Sequence, residues 1–126
     1  MVKTMERKES SGEKKYSFDF GSVECTPDCR IITASHDNIN DWVNDKFGYY
    51  LIRIKDGWIE AGLCRELKKV SVIIRGKTAE EVYNTIIRDN LVGTKQHAAH
   101  LGMELQKAEV CLKNGKKYVQ DAPFNP

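Results

Sequence analysis

A group of side chains with the chemistry to bind a metal ion lies in residues 94–113. The group begins at His97 and continues three, seven and fourteen residues later with His100, Glu104 and Cys111. On a helix, these spacings place the four side chains on one face. Imidazole nitrogens, carboxylates and thiolates are ligands for divalent transition metals. The spacing predicts a metal site with His97, His100 and Glu104 as its ligands.

The metal hypothesis leaves one coordination position open and has a structural alternative. A fourth ligand would have to be Cys111, Cys64 or solvent, because four ligands are usual for zinc. In the alternative, His97 donates to a carbonyl near the helix start, and His100 and Glu104 pair at the surface or at a subunit contact. Both interpretations place the two histidines on the same helical face.

His97 also suggests a second kind of site. It stands in the first turn of the predicted helix, where unpaired backbone N–H groups and the positive end of the helix dipole attract anions. Arg53 or Arg75 could reach the same place if the helix crosses the strand ends. The prediction is a polar pocket for the carboxylate or carbonyl edge of a small metabolite, with His97, Arg53, Arg75 and Glu104 as ligand-binding residues. The alternative is that His97 is a buried structural histidine.

These side chains are positioned by a long helix. Thr94 and Asn114-Gly115 carry the signals of a helix start and a helix end. Gly102 stands mid-helix, where glycine costs about 1 kcal/mol relative to alanine, so we expect the sheet or a second subunit to pack closely there. Apolar residues recur every three or four positions and form the predicted buried stripe: Ala98, Leu101, Leu105, Ala108 and Leu112.

Three strands are predicted before the helices. Residues 49–55 alternate between two faces, Asp56-Gly57 is a two-residue hairpin signal, and residues 58–64 form the returning strand. Residues 70–74 form a nearly continuous β-branched run, which is typical of a strand that is covered on both faces. Short turns between these strands predict an antiparallel meander.

A shorter helix and the flanking segments complete the expected fold. Thr78 and Glu81 form a capping box, and Gly93 can end that helix. Residues 16–34 fit one or two short strands with a turn at Pro27-Asp28, and residues 35–42 suit a capped turn or a short helix. The predicted class is α+β, an antiparallel sheet of three to five strands with two long C-terminal helices packed on it. The expected divisions are a disordered arm (1–15), one domain (16–121) and a tail (122–126).

Composition excludes several classes of function. The 126 residues carry 20 basic and 18 acidic side chains, a formal charge of +2, and the charges are mixed along the chain. Nucleic acid is therefore not an expected partner. No apolar run approaches the roughly 20 residues that cross a bilayer, so no membrane association is expected. The start lacks the apolar region of a secretory signal, which predicts a cytoplasmic location.

The cysteines do not form a recognisable metal framework. Three residues separate Cys25 from Cys29, whereas zinc knuckles more often have two, and there is no second closely spaced pair. Cys64 stands on a predicted strand and Cys111 on the long helix. All four are expected to be reduced thiols.

Three segments within residues 47–121 resemble a known family: FGYYLIRI, VIIRGKTAEEVYNTIIRDNLV and QHAAHLGMELQKAEVCLKNGKKYVQD. The family is an uncharacterised small domain found mainly in methanogenic archaea. There it is linked to a pterin-binding domain like dihydropteroate synthase and to the archaeal type of thymidylate synthase. The resemblance implies one-carbon transfer on a pterin carrier as the metabolic setting, and no particular reaction. The family has an aromatic residue at the position of His100, which argues against a two-histidine metal site.

The functional hypothesis is an accessory or binding module of pterin-linked one-carbon metabolism. It would recognise a small anionic metabolite or dock to a partner enzyme of pterin or one-carbon metabolism. One alternative is a small metal-dependent enzyme that uses His97, His100 and Glu104. Another is a structural domain that forms homo-oligomers through the long C-terminal helix. The expected cofactor is a pterin carrier in the first case and a divalent transition metal in the second.

Overall fold

The residues that the structure describes form a four-stranded sheet with two helices on one face. A computed structural model describes residues 23–34, 47–66, 68–88, 91–92 and 94–123. The spatial order of the strands is β1-β4-β3-β2. The elements in chain order are β1 (Glu24–Thr33), β2 (Tyr49–Lys55), β3 (Trp58–Cys64), β4 (Lys69–Gly76), α1 (Ala79–Arg88) and α2 (Lys95–Asn114).

The hairpin and the meander are confirmed. β2 pairs antiparallel with β3 from Lys55↔Trp58 to Tyr49↔Cys64, and β3 pairs antiparallel with β4. Asp56 and Gly57 connect β2 to β3 with φ angles of 53° and 82°. Positive φ at both central residues is the geometry of a two-residue hairpin turn, which is why an Asp-Gly pair is such a strong local signal.

The prediction of a purely antiparallel sheet was wrong, because β1 pairs in parallel with β4. A long connection between β1 and β2 lets β1 reach the far edge of the sheet, and local turn signals carry no information about that choice. The turn predicted at Pro27-Asp28 was also wrong. It is a bulge within one strand, because Cys25 pairs with Val70 whereas Arg30 pairs with Val72.

The helix ends follow the sequence signals. The Thr78 hydroxyl accepts from the Glu81 N–H at 3.2 Å, and the Glu81 carboxylate accepts from the Thr78 N–H at 3.2 Å. In α2, the Thr94 side chain accepts from the His97 N–H, and Gly115 ends the helix with a φ of 64°. The stop predicted at Gly93, the arm at 1–15 and the turn at 35–42 lie outside the described residues.

The core lies between the sheet and the two helices. Leu101, Leu105 and Ala108 of α2 are fully buried there, as the helical periodicity predicted. Gly102 faces α1 and not the sheet. A Cβ at this position would lie 3.1 Å from the Tyr83 ring, so the missing side chain lets α1 approach α2.

Truncation of Leu105 tests the orientation of α2. Leu105→Ala should lower the free energy of unfolding by about 2–5 kcal/mol, because the substitution removes buried methyl groups and leaves a cavity. Denaturant unfolding measures the change. Met103→Ala is the control on the same helix, since Met103 is 52% exposed and its truncation should change stability by less than about 1 kcal/mol. Equal losses in both variants would contradict the observed orientation.

Candidate functional site

A buried carboxylate organises the polar side chains of α2. Glu104 is 1% exposed. Its two oxygens accept from the Lys107 ammonium at 3.0 Å, the Tyr118 hydroxyl at 2.6 Å and the Asp121 N–H at 3.3 Å. Lys107 also donates to the carbonyl of Ala122 at 2.7 Å. Burial of the charged carboxylate is tolerable because a cation and two neutral donors surround it.

His100 extends this cluster towards the surface. Its Nε2 lies 2.7 Å from Asp121 Oδ1 and 3.6 Å from Glu104 Oε2, and its Nδ1 contacts the Tyr50 hydroxyl. The same hydroxyl donates to the backbone carbonyl of His97 at 3.1 Å. A carboxylate only accepts, so Nε2 carries the proton towards Asp121. A continuous path of polar contacts therefore runs from Glu104 through His100 to Tyr50.

The C-terminal segment completes the site. After α2 ends, the chain returns over the sheet edge and places Tyr118 and Asp121 against Glu104. Gln120 fastens the segment to β2, since its Oε1 accepts from the Ile52 N–H at 2.7 Å and its Nε2 donates to the Tyr50 carbonyl at 3.4 Å. Residues 118–121 therefore lie against the body of the domain.

The structure groups only part of the predicted metal set. Among the described residues, the ligand atoms of His100, Glu104 and Asp121 lie within 4.8 Å of one another, and His97 is not a member of this group. The reason is axial distance, because seven residues of helix separate His97 from Glu104 by about 10 Å. A cation bound there would also compete with the Lys107 ammonium for the Glu104 carboxylate. Metal binding by His97, His100 and Glu104 stays a prediction.

Arg53 and Arg75 lie away from His97. They occupy one cross-strand row with Glu60, on the sheet face opposite the helices, because their neighbours in the strands face the helical core. Glu60 is fully buried and accepts from Arg53 Nε at 2.8 Å and from Arg75 Nε at 3.1 Å. The Arg75 guanidinium also stacks over the Trp58 ring at 5.1 Å. The pocket predicted between His97 and these arginines is not assembled.

A cavity without these arginines lies at the start of α2. Its volume is about 270 Å³, and the described residues that line it do not include Arg53 or Arg75. The lining polar and aromatic side chains are Tyr49, Tyr50, Lys68, His97, His100 and Gln120. The Tyr49 ring is half-exposed, and the His97 ring meets the Tyr50 ring edge-on at 6.2 Å between centroids. The cavity has aromatic walls and a polar edge.

The thiols of Cys29 in β1 and Cys64 in β3 are held in their protonated form. A hydrogen bond with the Cys25 thiol, together with burial, raises the pKa of Cys29 far above its ordinary value. Burial raises the pKa of Cys64 to about 11, with a smaller contribution from Cys25. Thiolates are the reactive and metal-binding form of cysteine. These cysteines are therefore poor nucleophiles at neutral pH.

The tyrosines of the site resist ionisation. Burial raises the pKa of Tyr50 to about 12, and the carboxylates of Asp121 and Glu104 add to the rise. Burial, followed by the hydrogen bond to Glu104, raises the pKa of Tyr118 well above its ordinary value. An ionised Tyr118 would place a second negative charge beside Glu104. Both phenols therefore act as hydrogen-bond donors across the physiological pH range.

These raised pKa values predict alkaline destabilisation. Above about pH 10 the unfolded chain loses phenolic protons that the folded chain keeps, so stability is fully present below pH 10 and falls as pH rises. Each retained proton should contribute a slope of about 1.4 kcal/mol per pH unit. Urea unfolding between pH 8 and 11 measures the slope. Tyr118→Phe should reduce it by one such contribution, and an unchanged slope would contradict the assignment.

Comparison with known proteins places these features in a family. A family model described as PterinBD-DUF4346 matches residues 44–121, more than half of the chain. The chain belongs to the PterinBD-DUF4346 family. An uncharacterized protein of Methanocaldococcus jannaschii, MJ0107, is 54% identical over 50 residues, which cover 40% of this chain and 10% of that protein. The chain thus spans a small part of that relative's length. No solved structure matches.

The family match contains most of the candidate site. Glu104, His100, Tyr50 and the C-terminal segment up to Asp121 all lie within the matched residues.

Among the described residues, no helix is both long and apolar enough to cross a membrane.

Sequence reasoning missed five residues of the site. Four of them are ordinary polar or aromatic residues whose role depends on a distant partner, as with Tyr50 and His100, which are 50 positions apart. Lys107 bonds to Glu104, three positions before it on α2, and to the carbonyl of Ala122. One signal was present, because the closing residues 118–121 are among the segments that carry the family resemblance. The five residues are Tyr50, Lys107, Tyr118, Gln120 and Asp121.

Proposed function

We propose that this member of the PterinBD-DUF4346 family is an accessory binding module of pterin-linked one-carbon metabolism, and that the cavity at the start of α2 receives the flat ring of a pterin carrier. The observation that carries the proposal is the cavity itself, which joins two tyrosines, two histidines and Gln120 within the family match. The wider link to one-carbon transfer, and to archaeal-type thymidylate synthase, comes from the sequence resemblance.

The size of the cavity suits a bicyclic ring. Its volume of about 270 Å³ is just below the range of about 300–1,000 Å³ that is usual for drug-sized ligands. The whole carrier, with its tail, would extend into solvent. The tail of such a carrier is anionic, and the exposed Lys68 on the cavity lining offers it a counter-charge. The module would then hold the ring while the tail stays accessible to a partner enzyme.

The polar edge of the cavity matches the chemistry of a pterin. A pterin ring presents both hydrogen-bond donors and acceptors along one edge, and neutral histidine can supply either. His97 is exposed at the cavity wall, and Tyr49 presents a half-exposed ring for stacking. The Tyr50 hydroxyl contacts the His100 ring and donates to the backbone carbonyl of His97, and the Tyr50 ring meets the His97 ring edge-on.

A substitution at His97 tests the proposal. Pterin-6-carboxylate is a fluorescent probe, and its binding to the full chain can be followed by titration. His97→Gln should weaken binding by at least about fivefold, since one hydrogen bond to the ligand is worth about 1 kcal/mol, and should leave the melting temperature unchanged because the side chain is exposed. Lys95→Gln, on the same turn but outside the cavity lining, is the control. Unchanged probe binding together with a large loss of stability would overturn the proposal.

A second candidate role is docking to a partner enzyme. It is favoured by a groove of about 950 Å³ between α1 and α2, whose floor is formed by Tyr83 and Gly102. Met103 lines this groove and is 52% exposed. Exposed methionine is common on adaptable docking surfaces. Met103→Glu should abolish partner docking and leave pterin binding unchanged, which separates the two roles.

A further inference from the structure

Among the strands that the structure describes, β2 lies at an edge of the sheet, and its outer side is only partly covered by described residues. Its one described neighbour is β3. The Ile52 N–H and the Tyr50 carbonyl point away from β3, since both bond to the Gln120 side chain. Backbone polar groups of residues two apart point the same way in a strand. The N–H of Ile54 therefore also points outward, two residues further along β2 than the Ile52 N–H that bonds to Gln120.

Gln120 occupies the place of one peptide unit of a neighbouring strand. Its amide accepts from one backbone N–H and donates to the next outward carbonyl, as a paired strand would. Gln120 does not reach Ile54, and no described residue bonds to the Ile54 N–H. Exposed rows of backbone donors and acceptors are templates for strand addition.

A groove lies beside this open part of the edge. It has a volume of about 510 Å³, and we call it the edge groove; its walls are β2, the end of α2 and residues 115–119. Ile54, Leu112 and Tyr118 give it apolar walls, and Val119 at its side is 51% exposed. The groove therefore offers apolar contact directly next to backbone groups to which no described residue bonds.

The charged side chains that line the edge groove are all basic. Its described lining contains Arg53, Lys116 and Lys117 and no acidic residue. Arg53 is already paired with Glu60, so the two exposed lysines supply the available positive charge. An incoming strand with carboxylates would be attracted to them. A second copy of this chain, paired through the same edge, would place its own lysines against these and be repelled.

We propose that the edge groove docks an extended acidic segment of a partner protein, which adds to the sheet as a strand beside β2. Its backbone would accept from the Ile54 N–H and donate to the Ile52 carbonyl, in the manner of other strand-addition complexes. Alternate side chains would face the apolar wall, and carboxylates would face Lys116 and Lys117. This surface is separate from the cavity at the start of α2, so the two functions can fail independently.

Labelled synthetic peptides test the proposal on the full chain. Fluorescence anisotropy would compare alternating Glu-Val, Ser-Val and Lys-Val hexapeptides. The Glu-Val probe should bind at least tenfold more tightly than the Lys-Val probe. A Glu-Val probe with alternate backbone nitrogens methylated keeps every charge but cannot pair with a strand, and it should lose at least tenfold in affinity. Equal binding of the methylated probe, or no saturable binding of the Glu-Val probe, would overturn the proposal.

Variants locate the binding on this edge. The double substitution Lys116→Glu, Lys117→Glu should weaken binding of the Glu-Val probe at least tenfold. The matched control is Lys69→Glu, Lys95→Glu, which makes the same charge change at exposed residues that line neither the edge groove nor the cavity at the start of α2, and it should retain binding. Saturation with the probe should also slow amide hydrogen exchange at Ile54 at least tenfold. An equal loss in both double variants, or unchanged exchange at Ile54, would overturn the proposal.

Discussion

Replacing Glu60 by glutamine should lower the free energy of unfolding by about 3–5 kcal/mol, the usual cost of breaking a buried ion pair from one side. Glu60 is fully buried, and the Arg53 side chain that it neutralises is only 7% exposed. The substitution removes the charge with little change of volume. The Arg53 guanidinium would then be left in the interior beside Arg75 without a carboxylate between them. Chemical denaturation at pH 7 measures the loss.

The control for Glu60 is the same substitution at an exposed carboxylate. Glu80 is exposed in the first turn of α1, and Glu80→Gln should change stability by no more than about 0.5 kcal/mol. A loss below about 1 kcal/mol for Glu60→Gln would mean that the two arginines find other partners. The ion pairs of Glu60 with Arg53 and Arg75 would then contribute to stability as exposed ion pairs do, and not as buried ones.

The second large effect is expected at Glu104. Glu104→Gln should lower the free energy of unfolding by about 3–5 kcal/mol, because Lys107 would lose its buried counter-charge. The new amide nitrogen is itself a donor, and it would face one of the three donors that bond to the carboxylate. The C-terminal segment should loosen as well, since Tyr118 and Asp121 bond to this carboxylate. Unfolding measurements give the first effect, and faster amide exchange at Asp121 gives the second.

A paired substitution distinguishes a buried charge from a lost contact. Replacing Glu104 and Lys107 together by methionine removes both charges, and it should recover at least half of the stability lost in Glu104→Gln. Asp121→Asn is the exposed control, because its carboxylate is 69% exposed and should contribute less than about 1 kcal/mol. A Glu104→Gln loss as small as that of Asp121→Asn would contradict the buried cluster.

Local chemistry accounts for the part of the fold that was predicted. The Asp56-Gly57 turn, the Thr78 capping box and the Thr94 cap each depend on a few neighbouring residues, and the structure has all three. The apolar stripe of α2 correctly indicated Leu105 as a core residue, because helical periodicity determines which side chains share a face. The α+β class followed from the order of these elements.

The candidate site depended on contacts that local rules do not describe. The sequence by itself determined that His100 and Glu104 share a helical face, one turn apart. Only the tertiary structure decided that Asp121, and not His97, joins them, because the chain after α2 folds back over the edge of β2. It likewise decided that β1 lies parallel to β4 and that Arg53 and Arg75 meet at Glu60, on the face away from the helices. Spacing along one element determines which side chains share a face, whereas the packing of distant segments determines which faces meet.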